Sequence, residues 1–358
     1  MTTDRPAARA AQAERAVLSR SLRRLWALPG TRIGIVSHPT RLSHRLSMVW
    51  MYWWQAHLFD CLVDAQLRDP QRGRARLAQT LARANLIRNG LRRTNRYYDD
   101  MAWWGLALQR GQDVFGLSAS ETRIVRTCLA AIRPDGVVPW RIGDTFLNAP
   151  ANGPVAMMLA RAGYRDEAAR MLDWITEHLM LDTGLVADGL VVTPDGDRLD
   201  TTVYTYCQGV VLGAELEVMG PDSPRRIADL VAATAEHLAP DGVLTGMGGG
   251  DGGLFAGILA RYLALVANRL PGDKVTRNLA ADVVRASADA AWEHRVVDRH
   301  DLPTFGPEWN QPATSPGRKG LHENDLSVQL SGWMVLEAAA ALDEAKPEKR
   351  RRRPKKTA

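Results

Sequence analysis

Asp99 and Asp100 stand side by side in the stretch NRYYDDMAWWGLALQR, residues 95–110, where an apolar run begins. Like charges in contact repel and Asp is a poor helix former, so the pair costs free energy where it stands. Repulsion also splits the titration. One carboxyl tends to hold its proton while the other ionises, and a helix N-terminus beside them stabilises the anion. A proton donor next to a carboxylate can serve as acid and nucleophile in one site. The plain alternative is capping, since Asp commonly closes helix N-termini.

Other polar and aromatic residues recur at the same kind of position, just ahead of an apolar segment. Tyr98 and Trp103 flank the acid pair, and Trp140, Arg141, Asn148 and Asn152 precede the segment from residue 153. Asp200, Tyr204, Tyr206 and Gln208 accompany the segment from 206, and Asp251 and Asp325 precede those from 253 and 326. Asn152 with Pro154 reads first as a helix N-terminus, then as a ligand contact. Trp53, Trp54, Trp103 and Trp104 read first as core, then as ligand platforms. Acids, amides and flat rings without a metal cluster describe a carbohydrate site: ring faces stack on sugars, while carboxylates and amides bond hydroxyls. Two carboxyls supply what glycoside hydrolysis needs, and a short separation between them gives retention of anomeric configuration.

No metal and no cofactor are expected. The eight histidines show no i, i+4 pair, and Cys61, Cys128 and Cys207 have no CxxC spacing and read as buried thiols. GMGGGDGG, residues 246–253, reads as a close-approach loop before a helix, because no clear strand precedes it and no GK[ST] follows.

The elements that must position these residues are nearly all helical. Small, apolar segments begin near residues 48, 101, 153, 206, 253 and 326, the first five spaced 47–53 apart. Between them, and ahead of the first, lie amphipathic segments with a charged back, such as RDEAARMLDWITEHLM. Helices rich in Gly and Ala pack closely and suit an inner layer; the charged ones suit the outside. The alternation predicts an all-α fold, an (α/α)6 barrel of six inner and six outer helices. An open superhelical repeat is the competitor. The long loops at 133–152, 182–205, 239–252 and 295–325 favour closure, with parallel inner helices delivering those loops to one mouth. Strand-like alternation is confined to short pieces such as GLVADGLVVTP.

The net charge of +6 is misleading taken whole: residues 1–48 and 346–358 each carry +7, which leaves the body at −8. A nucleic-acid binder would carry its basic residues on the folded face, so none is expected as a partner. The division expected is an N-terminal basic segment with one outer helix (1–45), the catalytic barrel (46–345) and a basic disordered tail (346–358), the tail being a candidate for weak contact with anionic membrane. No apolar signal region is evident near the start, and the best apolar stretch, LSMVWMYWWQAHLF, is too short and polar to span a bilayer, so a cytoplasmic location is expected.

The stretches YYDDMAWWGLAL, NAPANGPVAMMLAR, GLVADG, TYCQGVVLGAELEV, GDGGLFAGILARYL and DLSVQLSGWMVLEAA together resemble glycoside hydrolase family 76, the endo-α-1,6-mannanases, and more narrowly its actinobacterial group. The resemblance covers roughly residues 45–345. It implies the (α/α)6 barrel and a retaining mechanism with Asp99 as nucleophile and Asp100 as acid/base. Tyr98, Trp103, Trp140, Asn148, Asn152, Tyr206, Gln208 and Asp251 would bind substrate, and no cofactor is implied. The implied partner is an α-1,6-linked mannan, such as a lipomannan-type backbone or its fragments. Cys207 departs from the family pattern where an Asn is expected, and Ala256 where a Lys is frequent. The alternatives are a silent glycan-binding barrel and a different sugar-active enzyme on the same scaffold.

Overall fold

The computed structural model describes residues 5–118, 120–314 and 324–344. Thirteen helices run through these residues: α1 (Pro6–Ser21), α2 (Leu42–Arg45), α3 (Tyr52–Arg68), α4 (Arg72–Arg88), α5 (Tyr98–Phe115), α6 (Thr122–Leu129), α7 (Ala149–Arg161), α8 (Arg165–His178), α9 (Thr205–Val218), α10 (Ser223–His237), α11 (Phe255–Arg269), α12 (Lys274–Glu293) and α13 (Leu326–Glu344). Short strands join them: β1 (Leu22–Arg23) with β2 (Ile33–Gly34), β3 (Phe146–Asn148) with β4 (Gly189–Val191) and β5 (Arg198–Asp200), and β6 (Val296–Val297) with β7 (Pro303–Thr304), all antiparallel.

The odd-numbered helices from α3 to α13 form the inner ring. Each packs on the next, and α13 packs back on α3, so the ring closes and the open superhelix is excluded. α1, α4, α6, α8, α10 and α12 surround it. The inner helices are buried nearly all round; α9 and α13 have almost no polar face, whereas α8 and α10 are amphipathic. Small residues set the spacing. A Cβ on Gly257 in α11 would lie 2.6 Å from Ser331 Cα in α13, and the Gly257 N–H donates to Ser331 Oγ at 2.8 Å. Only Gly permits that approach. The segment Gly250–Arg269 is long and apolar enough to cross a membrane, but here it is mostly buried as a turn and α11 inside the ring.

The barrel is closed by chain ends that are distant in sequence. α1 lies against α13 and α3, so part of the expected N-terminal segment is an integral outer helix. Glu14 of α1 accepts from Arg68 (2.9 Å) and Arg74 (2.6 Å), and Arg68 also pairs with Glu337 of α13 (2.8 Å). The tail at 346–358 lies outside the described residues.

Candidate active site

The inner helices all begin at one end of the ring, so their first turns and the loops before them meet there. They enclose a cleft of about 430 Å³. Asp99, Asp188 and Asp251 line it with Asn148 and the rings of Trp53, Trp103, Trp140, Phe146, Tyr204, Tyr206 and Phe255. Tyr206 and Phe255 stack face to face with ring centroids 4.0 Å apart, forming a flat apolar wall.

The acid pair occupies the first turn of α5, where the positive helix end favours anions. The preceding backbone is stitched to the 133–145 loop: Tyr98 N–H donates to the Trp140 carbonyl (2.9 Å) and Trp140 N–H to that of Phe146 (2.8 Å). This places the Trp140 indole so that its Nε1 donates to Asp99 Oδ2 at 2.9 Å. The Asp100 amide donates to Asp99 Oδ1 at 2.7 Å. Burial pushes the Asp99 carboxyl up to about 6, and these two donors oppose that rise. Asp100 goes well above the carboxylate range because it is desolvated and faces the Asp99 charge, with only Asn95 Nδ2 (2.6 Å from Oδ2) favouring its anion. The two carboxyls thus differ in the way that acid and nucleophile roles require, and both stay partly exposed.

Two further acids complete the mouth. Asp251, in the Gly-rich turn ahead of α11, accepts from Trp53 Nε1 (3.0 Å) and Trp54 Nε1 (2.8 Å) at one oxygen. Left-handed backbone at Gly248 and Gly250 shapes that turn. Asp188 comes from the loop before β4. Its N–H donates to the Thr202 carbonyl and its own carbonyl accepts from Ala149, so the small sheet fixes it beside the start of α7. Burial, then the charges of Asp200 and Asp99, push Asp188 up to about 7. The Cys207 thiol, 4.0 Å from Asp188 Oδ1, is the weak donor it meets.

The structure brings Asp99, Trp103, Trp140, Asn148, Tyr206 and Asp251 together around one cavity. Asp100 lies next to Asp99 but not on the cleft wall, its Oδ2 turned to Asn95, and Tyr98, Asn152 and Gln208 are not brought there either. Tyr98 is buried beside the start of α5 and is absent from the cleft wall. Asn152 is fully buried, its side chain bonding Val138 N–H and carbonyl and the Asn148 carbonyl. Gln208 does the same for Val186 and Tyr204. These amides clamp loops from below and have no group left for a sugar. The N-cap of α7 is Asn148, which accepts from Ala151 N–H at 3.2 Å, and not Asn152. Asp325 is buried at the start of α13, and Asp200 is turned to Thr202. Trp53 and Trp103, read first as core, line the cleft, and Asp188, which the GLVADG motif carries, joins them as a site residue the sequence reading did not name.

No group of His, Cys, Asp and Glu among the described residues is arranged to hold a metal ion.

An (α/α)6 ring with an acid- and aromatic-lined mouth defines a carbohydrate-active barrel. The glycosyl hydrolase family 76 model matches residues 9–350, and the chain belongs to that family. No curated protein matches it. Among solved structures it is similar to the GH76A α-1,6-mannanase of Salegentibacter sp. HEL1_6, at 23% identity and TM-score 0.83 over 94% of this chain and 100% of that one. An inactive variant of that mannanase, with two adjacent aspartates replaced, is in complex with α-1,6-mannotriose. The Lin0763 protein of Listeria innocua is similar at 24% identity and TM-score 0.82, over 95% of this chain and 98% of its own. At these identities the likeness bears on the fold.

Proposed function

We propose that this protein is a retaining glycoside hydrolase acting on α-1,6-linked mannan, with Asp99 as nucleophile and Asp100 as acid/base. Asp100 gives its proton to the departing glycosidic oxygen as Asp99 attacks C1, forming a mannosyl ester. Asp100, now an anion, takes a proton from water, which attacks C1 and frees Asp99. The carrying observation is the unequal environment of adjacent carboxyls: Trp140 and the Asp100 amide favour the Asp99 anion, while burial and the Asp99 charge push Asp100 toward its neutral form. Asp99–Asp100 is the one Asp–Asp pair in the sequence, and replacing such a pair gave an inactive form of the Salegentibacter mannanase. The rings of Trp103, Trp140 and Tyr206 supply stacking surfaces, and Asp188, Asp251 and Asn148 supply hydroxyl partners.

The test is incubation with linear α-1,6-mannohexaose, following products by mass and the new reducing end by early-time NMR. Shorter α-anomers from wild type and none from Asp99→Asn support the reading. First-formed β-anomers overturn retention. A thermal shift with the oligosaccharide but no products, wild type included, supports a silent binder; the thiol of Cys207 beside Asp188 favours that second reading.

A further inference from the structure

Segment 22–51, between α1 and α3, contains five arginines and no acid. It folds as the β1–β2 hairpin, turns and the single-turn α2, and it displays large apolar side chains outward. Leu42 is 71% exposed, Met48 68%, Trp26 51% and Leu46 49%. They form one patch. Trp26 Nε1 donates to the Leu46 carbonyl at 3.0 Å, Leu42 and Leu46 bracket α2, and the Arg88 side chain holds the carbonyls of Ser47 and Met48. Trp26 and Ser47 hold left-handed backbone (φ 47° and 54°), a conformation that costs free energy at non-Gly residues, yet the chain adopts it where it turns Trp26 and Met48 outward.

The same segment carries Arg23, Arg24, Arg41 and Arg45, all exposed, with no ion pair to any of them among the described residues. Two independent signals, exposed apolar side chains and exposed arginines on the same segment, are what reversible attachment to a charged lipid surface requires. An aromatic ring at the boundary fits the same reading. A partner protein would be expected to offer acids to these arginines, whereas segment 22–51 is built on turns and carries basic residues and no acid.

We infer that this face docks on the surface of a bilayer containing anionic phospholipid. The segment runs directly into α3, whose Trp53 lines the cleft, so docking sets the open end of the barrel close to the lipid headgroups. The contact is made by the folded face and not by residues 346–358.

The full chain should be sedimented with vesicles of phosphatidylcholine alone and of equal parts phosphatidylcholine and phosphatidylglycerol. Binding to the mixed vesicles only is expected. Leu42→Ser with Met48→Ser, and separately Arg41→Glu with Arg45→Glu, should each weaken it at least ~tenfold while leaving thermal melting and hydrolysis of soluble oligosaccharide unchanged. A chain ending at residue 345 should still bind. Wild-type binding by both double variants overturns the inference, as does binding lost only on removing 346–358. A wild-type dimer that the variants split, indifferent to vesicles, assigns the patch to a second copy of the chain instead. Lipid binding and glycan hydrolysis are read separately, so either can fail alone.

Discussion

The two ends of the barrel treat their acids in opposite ways. At the mouth, Asp99, Asp100 and Asp188 have indole, amide and thiol partners and no cation among the described residues, and all three are pushed toward the neutral form. At the far end, Asp60 and Asp64 of α3 face Arg110 of α5 and Arg261 of α11, with Arg261 at 2.9 Å from Asp60 and 2.7 Å from Asp64. Asp60 is held below the usual carboxylate range, and so is Glu217, which takes Arg161 and Arg269 at 2.9 Å each. Glu337 and Glu215 are exceptions: burial outweighs Arg68 at Glu337, pushing it up to about 7, and outweighs Arg226 at Glu215. The same residue type thus stabilises the fold at one end and costs stability at the other. Unpaired carboxyls in a cleft are what a reaction needs, and paired ones hold helices together.

Removing charge should therefore have opposite effects at the two ends. The largest change expected is in activity: Asp100→Asn should lower kcat by about 10²–10⁴ while its melting temperature at neutral pH equals or exceeds that of wild type. A fall in stability would break the contrast. Next, Arg261→Met leaves Asp60 and Asp64 with Arg110 alone and should cost about 3 kcal/mol in urea unfolding. Activity per folded molecule should remain.

The smallest effect is a pH dependence. Asp188 is raised from 3.8 to about 7, so its ionisation opposes folding: the related stability is complete below pH 3.8 and is lost as pH rises through about 7. Asp188→Asn should therefore be more stable than wild type by on the order of 1 kcal/mol at pH 8, a figure discounted for partial exposure, with no advantage at pH 3.5. Asp60 has the reverse sign, its contribution present above the ordinary carboxylate range and lost as pH falls through its depressed value. Equal urea midpoints for Asp188→Asn and wild type at pH 8 would remove Asp188 from the comparison.

The ring was legible because its period of about fifty residues and its Gly/Ala-rich inner segments are local properties of the chain. The acid pair was legible because adjacency is written in the sequence. Asn152 and Gln208 misled because an amide that clamps a buried loop and one that binds a sugar are the same residue, and only the backbone groups of Val138 and Val186 decide between them. Asp188 was hidden because the pairing of β3 with β4 brings it to Asn148 from a distant loop. The far-end network joins Asp64 to Arg261 across 197 positions, a separation at which no spacing rule operates.

The seam between α1 and α13 has a consequence for synthesis. A nascent chain that has emerged as far as α11 holds an open arc with two raw apolar edges, and α1 has only its smaller contact with α3 until α13, on which most of it packs, leaves the ribosome. Arg68, which Glu14 can reach early, gains its second partner, Glu337, only with that helix. Closure is thus a late, long-range event, and the interval before it is when the chain is most open to capture by chaperones or by other unfinished copies of itself.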